Sequence, residues 1–231
     1  RRKKIKYTGA GKNLFEASKP IIVGKKPKVG IFSLSYNPVA RKKKYGVFNL
    51  NSDSSIKIIN KIRTKKNLDK VICYCHSGLE LFPFPLYKDE KFYKKLIRSG
   101  VDLIIGSHAH VTQPIQIYKK KYIFFSIGDS LFNNLNKISW NKMMKKPSHA
   151  FYYKNKINQK KLNQGYVVRY CVNNQIENVE IIKLKRFKNC SIKFKKLNKI
   201  QTKKILENSN KALSSIKNNI FRKKIESKIF N

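Results

Sequence analysis

Compact apolar runs alternate along the chain with polar and glycine-bearing stretches. Four runs, KVGIFSL (Lys28 to Leu34), KVICYC (Lys70 to Cys75), VDLIIG (Val101 to Gly106) and YIFFSIG (Tyr122 to Gly128), have the near-continuous hydrophobicity of strands covered on both faces. Between the second and third, KDEKFYKKLIRSG sets Phe92, Leu96 and Ile97 at helical spacing and stops at Gly100. That predicts a strand, helix, strand unit. Farther on, GYVVRYCV, the pair Asn173-Asn174 and IENVEIIKLK predict a hairpin, because asparagine tolerates the positive φ of a tight turn. The segment Lys203 to Phe230 carries Ile205, Leu206, Leu213, Ile216 and Ile220 at helical spacing and predicts one or two surface helices. Asn133 to Gln164 has no clear period and reads as a long polar loop.

Charge adds a second layer. The 231 residues hold 53 Lys and Arg against 12 Asp and Glu, a formal charge of +41, which excludes an acidic carrier or a calcium buffer. With 41% hydrophobic residues, 10 Gly and 7 Pro, the chain belongs with globular proteins. The lysines are spread throughout, as on solvated faces in a lysine-biased composition. The functional alternative is an anionic partner: a polyanion, a phosphorylated substrate, nucleic acid or an acidic membrane surface. Phe and Tyr fall mostly inside the apolar runs rather than among the basic residues, which argues against a stacking nucleic-acid surface. No run approaches the roughly 18 apolar residues of a bilayer span, and the opening RRKKIKYTGAGKN lacks the apolar core of a signal peptide. Cys73 and Cys75, two apart on a strand, point the same way without bridging easily. They read as packed, reduced thiols that favour a reducing compartment.

The chemistry gathers in one stretch. His76 follows the second strand and the pair His108 and His110 follows the third, at strand ends where α/β folds place ligands. A right-handed crossover brings those two strands side by side, so three neutral imidazoles can share one metal pocket. Five of the twelve acids lie between residues 76 and 129. Glu80 and Asp129 follow strand ends and are site candidates, whereas Asp89 and Glu90 suit the first turn of a helix. His149 reads as an ordinary loop residue. Cys73, Cys75 and His76 could form a zinc site, although two same-facing cysteines in an apolar run are more simply small hydrophobes.

Taken in order, YTGAGKNLFEASKPII, HSGLELFPFP, LIRSGVDLIIGSHAHVTQPIQIY and KKYIFFSIGDSLF resemble the consecutive motifs of the bacterial capsule-synthesis family, the CapA-type poly-γ-glutamate synthesis proteins, from about Tyr7 to Leu184. That family is similar to the calcineurin-like metallophosphoesterases. The resemblance implies an α/β fold, a two-sheet sandwich flanked by helices, and a site for two divalent ions (Mn, Fe or Zn). It implies that His76 and His108 share one ion and that His110 reaches the other. Glu80 would orient His76 or hold water, and Gln113 and Asp129 would line the substrate pocket.

Departures from the family pattern are specific. Ser77 stands where many members have Trp, Ser107 where His is frequent, and Gly128-Asp129 where Gly-Asn is usual. An early Gly-Asp and an Asn-Asn-His segment have no counterpart before Tyr7, so the sequence reads as the C-terminal portion of such a protein: residues 1–187 as the domain portion and 188–231 as a basic helical tail. The resulting expectation is a metal-dependent phosphoesterase-type protein of capsule or exopolymer synthesis, acting on an anionic exopolymer or phosphorylated substrate. A capsule-synthesis complex or the missing N-terminal half would be its protein partner. The rival is a non-catalytic assembly or polyanion-binding factor; nucleic-acid binding has charge behind it but no base-reading module. Compartment is left open between cytoplasmic and membrane-associated.

Overall fold

A computed structural model describes residues 5–36, 38–50, 52–129, 164–173, 177–187 and 192–230. The first elements are β1 (Ala10–Gly11), α1 (Leu14–Ala17), β2 (Ile21–Val23), β3 (Val29–Ser35), β4 (Gly46–Val47) and α2 (Asp53–Lys66). They lead into β5 (Lys70–Ser77), α3 (Tyr87–Arg98), β6 (Leu103–His108), β7 (Ile115–Tyr118) and β8 (Lys121–Phe124). After a stretch outside the described residues come β9 (Gln164–Val172), β10 (Glu177–Arg186), β11 (Ile192–Lys196), α4 (Lys199–Ser214) and α5 (Ile216–Phe230).

Six strands form the central sheet in the order β2-β3-β5-β6-β8-β7. β3, β5, β6 and β8 run parallel, and β2 and β7 close the edges antiparallel. One face, with Phe32, Leu34, Val71, Cys73, Cys75 and Ile104, packs on Ile59 of α2 and on Phe92, Leu96 and Ile97 of α3. The other face, with Ile72, Leu103, Ile105 and Phe124, packs on Tyr166, Val168, Val179 and Ile181 of a second, antiparallel sheet ordered β11-β10-β9, and on Ile205 and Leu206 of α4. The expected α/β sandwich of two sheets flanked by helices is the architecture observed. No described helix is long and apolar enough to cross a membrane.

Element limits differ from the sequence reading in ways that matter for the site. β5 runs two residues past Cys75, and β6 begins at Leu103 and continues to His108. Asp102 forms the entry to β6 rather than part of it. Its carboxylate accepts from the Val71 N–H at 2.8 Å and pairs with Lys121 at 3.0 Å and Lys70 at 3.7 Å. Within β6, Gly106 is demanded by close approach, since a Cβ there would lie 2.0 Å from the Phe125 carbonyl oxygen. The region read as a loop, 133–164, lies outside the described residues except for Gln164, as do His149, Cys190 and Asn174 of the predicted turn.

The two C-terminal helices do more than cover the surface. In α4 the Ser209 hydroxyl accepts from the Ile115 N–H at 3.1 Å, and Leu213 joins the main core. In α5, Arg222 is fully buried. Its Nε donates to the Pro85 carbonyl at 2.9 Å, one terminal nitrogen donates to Glu90 at 2.5 Å and the other to Asn219 at 3.2 Å. A helix so rich in lysine gives no sequence sign that one basic side chain is internal.

Burial alone would raise the Glu90 carboxyl, but hydrogen bonds and charge from Lys94 and Arg222 outweigh it and hold the group below the ordinary glutamate range. The unfolded chain therefore binds this proton more readily than the folded one. The stabilisation is fully present above the unfolded value and is lost as pH falls through the lowered folded value. We expect E90A to leave Arg222 buried without its carboxylate and to cost about 3–5 kcal/mol in urea unfolding at pH 7, while flattening the acid limb of the stability profile. G106A should cost about 1–3 kcal/mol by forcing β6 away from Phe125, read as a lowered Tm.

Candidate metal centre

Parallel pairing of β5 with β6 sets His76 opposite Ser107 and Ser77 opposite His108. The His76 and His108 rings lie 4.6 Å apart between centroids, and those of His108 and His110 lie 6.2 Å apart. His76 Nδ1 is 3.3 Å from the Ser107 hydroxyl. A regular strand would send successive side chains to opposite faces. Here His108 and His110 have φ of 91° and 58°, in the left-handed region that non-glycine residues rarely occupy, and these turns break the alternation.

Glu80 comes to the same place from the loop after β5. That loop turns at Gly78 (φ 102°) and Leu81 (φ 62°), and the Leu81 N–H donates to the Ala109 carbonyl at 2.7 Å, tying it to the His108–His110 segment. Ligand atoms of Glu80, His108 and His110 lie within 4.8 Å of one another. Two imidazoles and a carboxylate form a donor set suited to a divalent ion that keeps an open coordination position. The sequence reading set Glu80 behind His76. The structure puts it among the candidate ligands, and His76 rests against His108 and Ser107 instead. Ser107, which the sequence marks only as a departure from the family pattern, stands opposite His76 in the β5–β6 register.

Asp129, expected to line a substrate pocket, meets His110: its carboxylate lies 2.8 Å from Nδ1. A carboxylate on Nδ1 fixes the tautomer and makes Nε2 the nitrogen that can serve an ion. This hydrogen bond, opposed by burial and helped by the Asp129 charge, raises the His110 pKa above the ordinary histidine value. His76 moves the other way, lowered by burial first and then by the charge of His110, with Glu80 opposing. Gln113 is buried, and its amide nitrogen donates to the Phe82 and Phe84 carbonyls at 2.9 and 2.8 Å, so it braces the Glu80 loop. Cys73 and Cys75 lie on the helix-packed face of β5, while His76 lies on the opposite side of the pleat. A zinc site combining them is therefore ruled out by geometry. Burial pushes both thiols far above the ordinary range.

Known proteins share this region. The family described as "Bacterial capsule synthesis protein PGA_cap" matches residues 1–134, a span that contains Glu80, Asp129, His76, His108 and His110. "Capsule biosynthesis protein CapA" of Bacillus anthracis is 31% identical over 137 residues, which is 56% of this chain and 33% of that protein. "PGA biosynthesis protein CapA" of Bacillus subtilis (strain 168) is 30% identical over 135 residues, 56% of this chain and 35% of that protein. The chain spans about a third of the length of these curated relatives. With more than half of its length matched, and the clustered imidazoles inside the matched part, the chain belongs to the bacterial capsule synthesis family PGA_cap.

Proposed function

We propose that this chain contributes a metal-dependent, phosphoesterase-type hydrolytic site to capsule or poly-γ-glutamate synthesis. The observation that carries the reading is the convergence of Glu80, His108 and His110 within 4.8 Å at the C-terminal ends of parallel strands. Membership of the PGA_cap family, and relatives named for capsule and PGA biosynthesis, support the biological setting.

In this reading Glu80, His108 and His110 hold one divalent ion, Mn, Fe or Zn, with His76 beside His108 as a further ligand. A second ion, as in a dinuclear centre, would draw on ligands beyond this cluster. A bound ion would supply Lewis acidity toward a phosphoryl or carbonyl oxygen and toward water. The protein's own part is positional. Asp129 accepts a hydrogen bond from His110 Nδ1 and fixes its ring, and the Ser107 hydroxyl lies within hydrogen-bond reach of His76 Nδ1. Gln113 holds the Glu80 loop by two carbonyls, and the chain's net positive charge draws an anionic exopolymer or phosphorylated substrate.

A second reading rests on the charge of +41: a non-catalytic assembly factor that binds the anionic polymer through its basic surface. Salt-titrated binding to poly-γ-glutamate and to an unrelated polyanion of equal charge density separates selective recognition from general polyanion attraction.

For the hydrolytic reading we expect the full chain to take up about one equivalent of Mn²⁺ or Zn²⁺ in equilibrium dialysis, and to cleave bis(p-nitrophenyl) phosphate only when loaded. H108A and H110A should abolish both. D129N should weaken metal affinity about 10- to 100-fold while leaving the far-UV spectrum unchanged. Failure of the unaltered chain to bind either metal would remove this reading and leave the polyanion-binding one.

A further inference from the structure

We propose that α5, which lies beyond the family-matched residues 1–134, is a clamp on the candidate metal centre, and that Ile225 is a positioning residue for its ligands. Ile225 is buried in a small cluster with Leu81, Phe82, Ala109 and Val111. Leu81 directly follows Glu80, and Ala109 and Val111 flank His110. One side chain from the far end of the sequence thus shares a packed cluster with residues of both ligand-bearing loops.

The neighbouring turns of α5 anchor this cluster. Arg222 Nε holds the Pro85 carbonyl and its terminal nitrogen holds Glu90, on either side of the start of α3. Glu226 accepts from the Lys88 N–H at 3.0 Å, in the first turn of α3, where Leu86 provides no side-chain cap. Phe221 stacks at a tilt on Phe82, with centroids 5.8 Å apart. All these contacts converge on residues 81–90, the continuation of the Glu80 loop.

Such a clamp answers a physical need. Leu81, His108 and His110 all have left-handed backbone, a conformation that costs free energy and persists only where surrounding packing imposes it. A direct backbone tie between the two loops is the Leu81 N–H to Ala109 carbonyl hydrogen bond at 2.7 Å. Packing by Ile225 covers that tie and excludes alternative loop conformations. Without it, Glu80 is released from the spacing that sets it beside His108 and His110. Metal affinity then falls because the loops must be ordered at the moment of binding.

The inference rests on the hydrolytic reading for its metal, so its test has an arm that needs none. In the full chain, Mn²⁺ and Zn²⁺ affinities are measured by calorimetry for the unaltered protein, I225A, I225V and, as a comparably buried control in the second sheet, I181A. Amide hydrogen exchange is followed at Leu81 and in β5. The expected result is about a 10-fold or greater loss of affinity in I225A, near-normal affinity in I225V and I181A, and faster exchange at Leu81 but not in β5. Wild-type affinity together with wild-type protection of Leu81 in I225A would overturn the clamp, as would an equal loss in I181A. Should the unaltered chain bind neither metal, the hydrolytic reading falls, and exchange at Leu81 alone decides whether α5 orders the two loops.

Discussion

The parallel pairing of β5 with β6 is the constraint on which the rest of the molecule depends. Six residues of register, from Ile72 opposite Leu103 to Ser77 opposite His108, carry two imidazole-bearing strand ends to one edge of the sheet. Hydrogen bonding between the strands fixes how far apart the rings start, and the loops supply only the final approach. The helix-side core of Cys73, Cys75, Tyr93 and Phe125 and the sheet-side core of Leu103, Phe124 and Ile181 seal the pair from both faces. A site of this kind is precise because the strands beneath it cannot slide.

In a chain with so few acids, the placement of each carboxylate is informative. Asp102 serves a backbone N–H and two lysines at the entry to β6, Glu90 meets Lys94 and Arg222, and Glu180 joins Arg169 and Lys196 on the second sheet. Asp129 stands on His110, and Glu80 joins the histidines. The acids thus divide between holding elements together and building one site. The lysines in excess remain as the general cationic field of the surface, which concentrates anions without choosing among them.

The central strands and α3 were legible because each is a continuous apolar run or a clear helical stripe, and the histidines because they stand where such runs stop. Short edge elements such as β2 and β7 were not, since three or four residues carry no period. Helix α2 was missed because Ile56, Ile58, Ile59 and Ile62 alternate with lysine and asparagine in a run that suits strand and helix equally. The roles of Glu80 and Asp129 depended on loop conformations with positive φ, which residue types other than glycine do not announce. Arg222 was the least legible of all: nothing local separates a buried arginine from the exposed Lys223 and Lys224 that follow it. Family resemblance pointed to the candidate site, but only the folded chain shows what the last helix touches.

Cys75 and His76 are neighbours in the sequence, yet the pleat of β5 sends them into different worlds. The sulfur is sealed among aliphatic and aromatic side chains, and the imidazole stands at the solvent edge. Soft, thiol-seeking ions and alkylating reagents arriving at the rim therefore encounter nitrogen and oxygen donors first. The strand thus keeps thiol and imidazole chemistry on opposite sides of a single pleat.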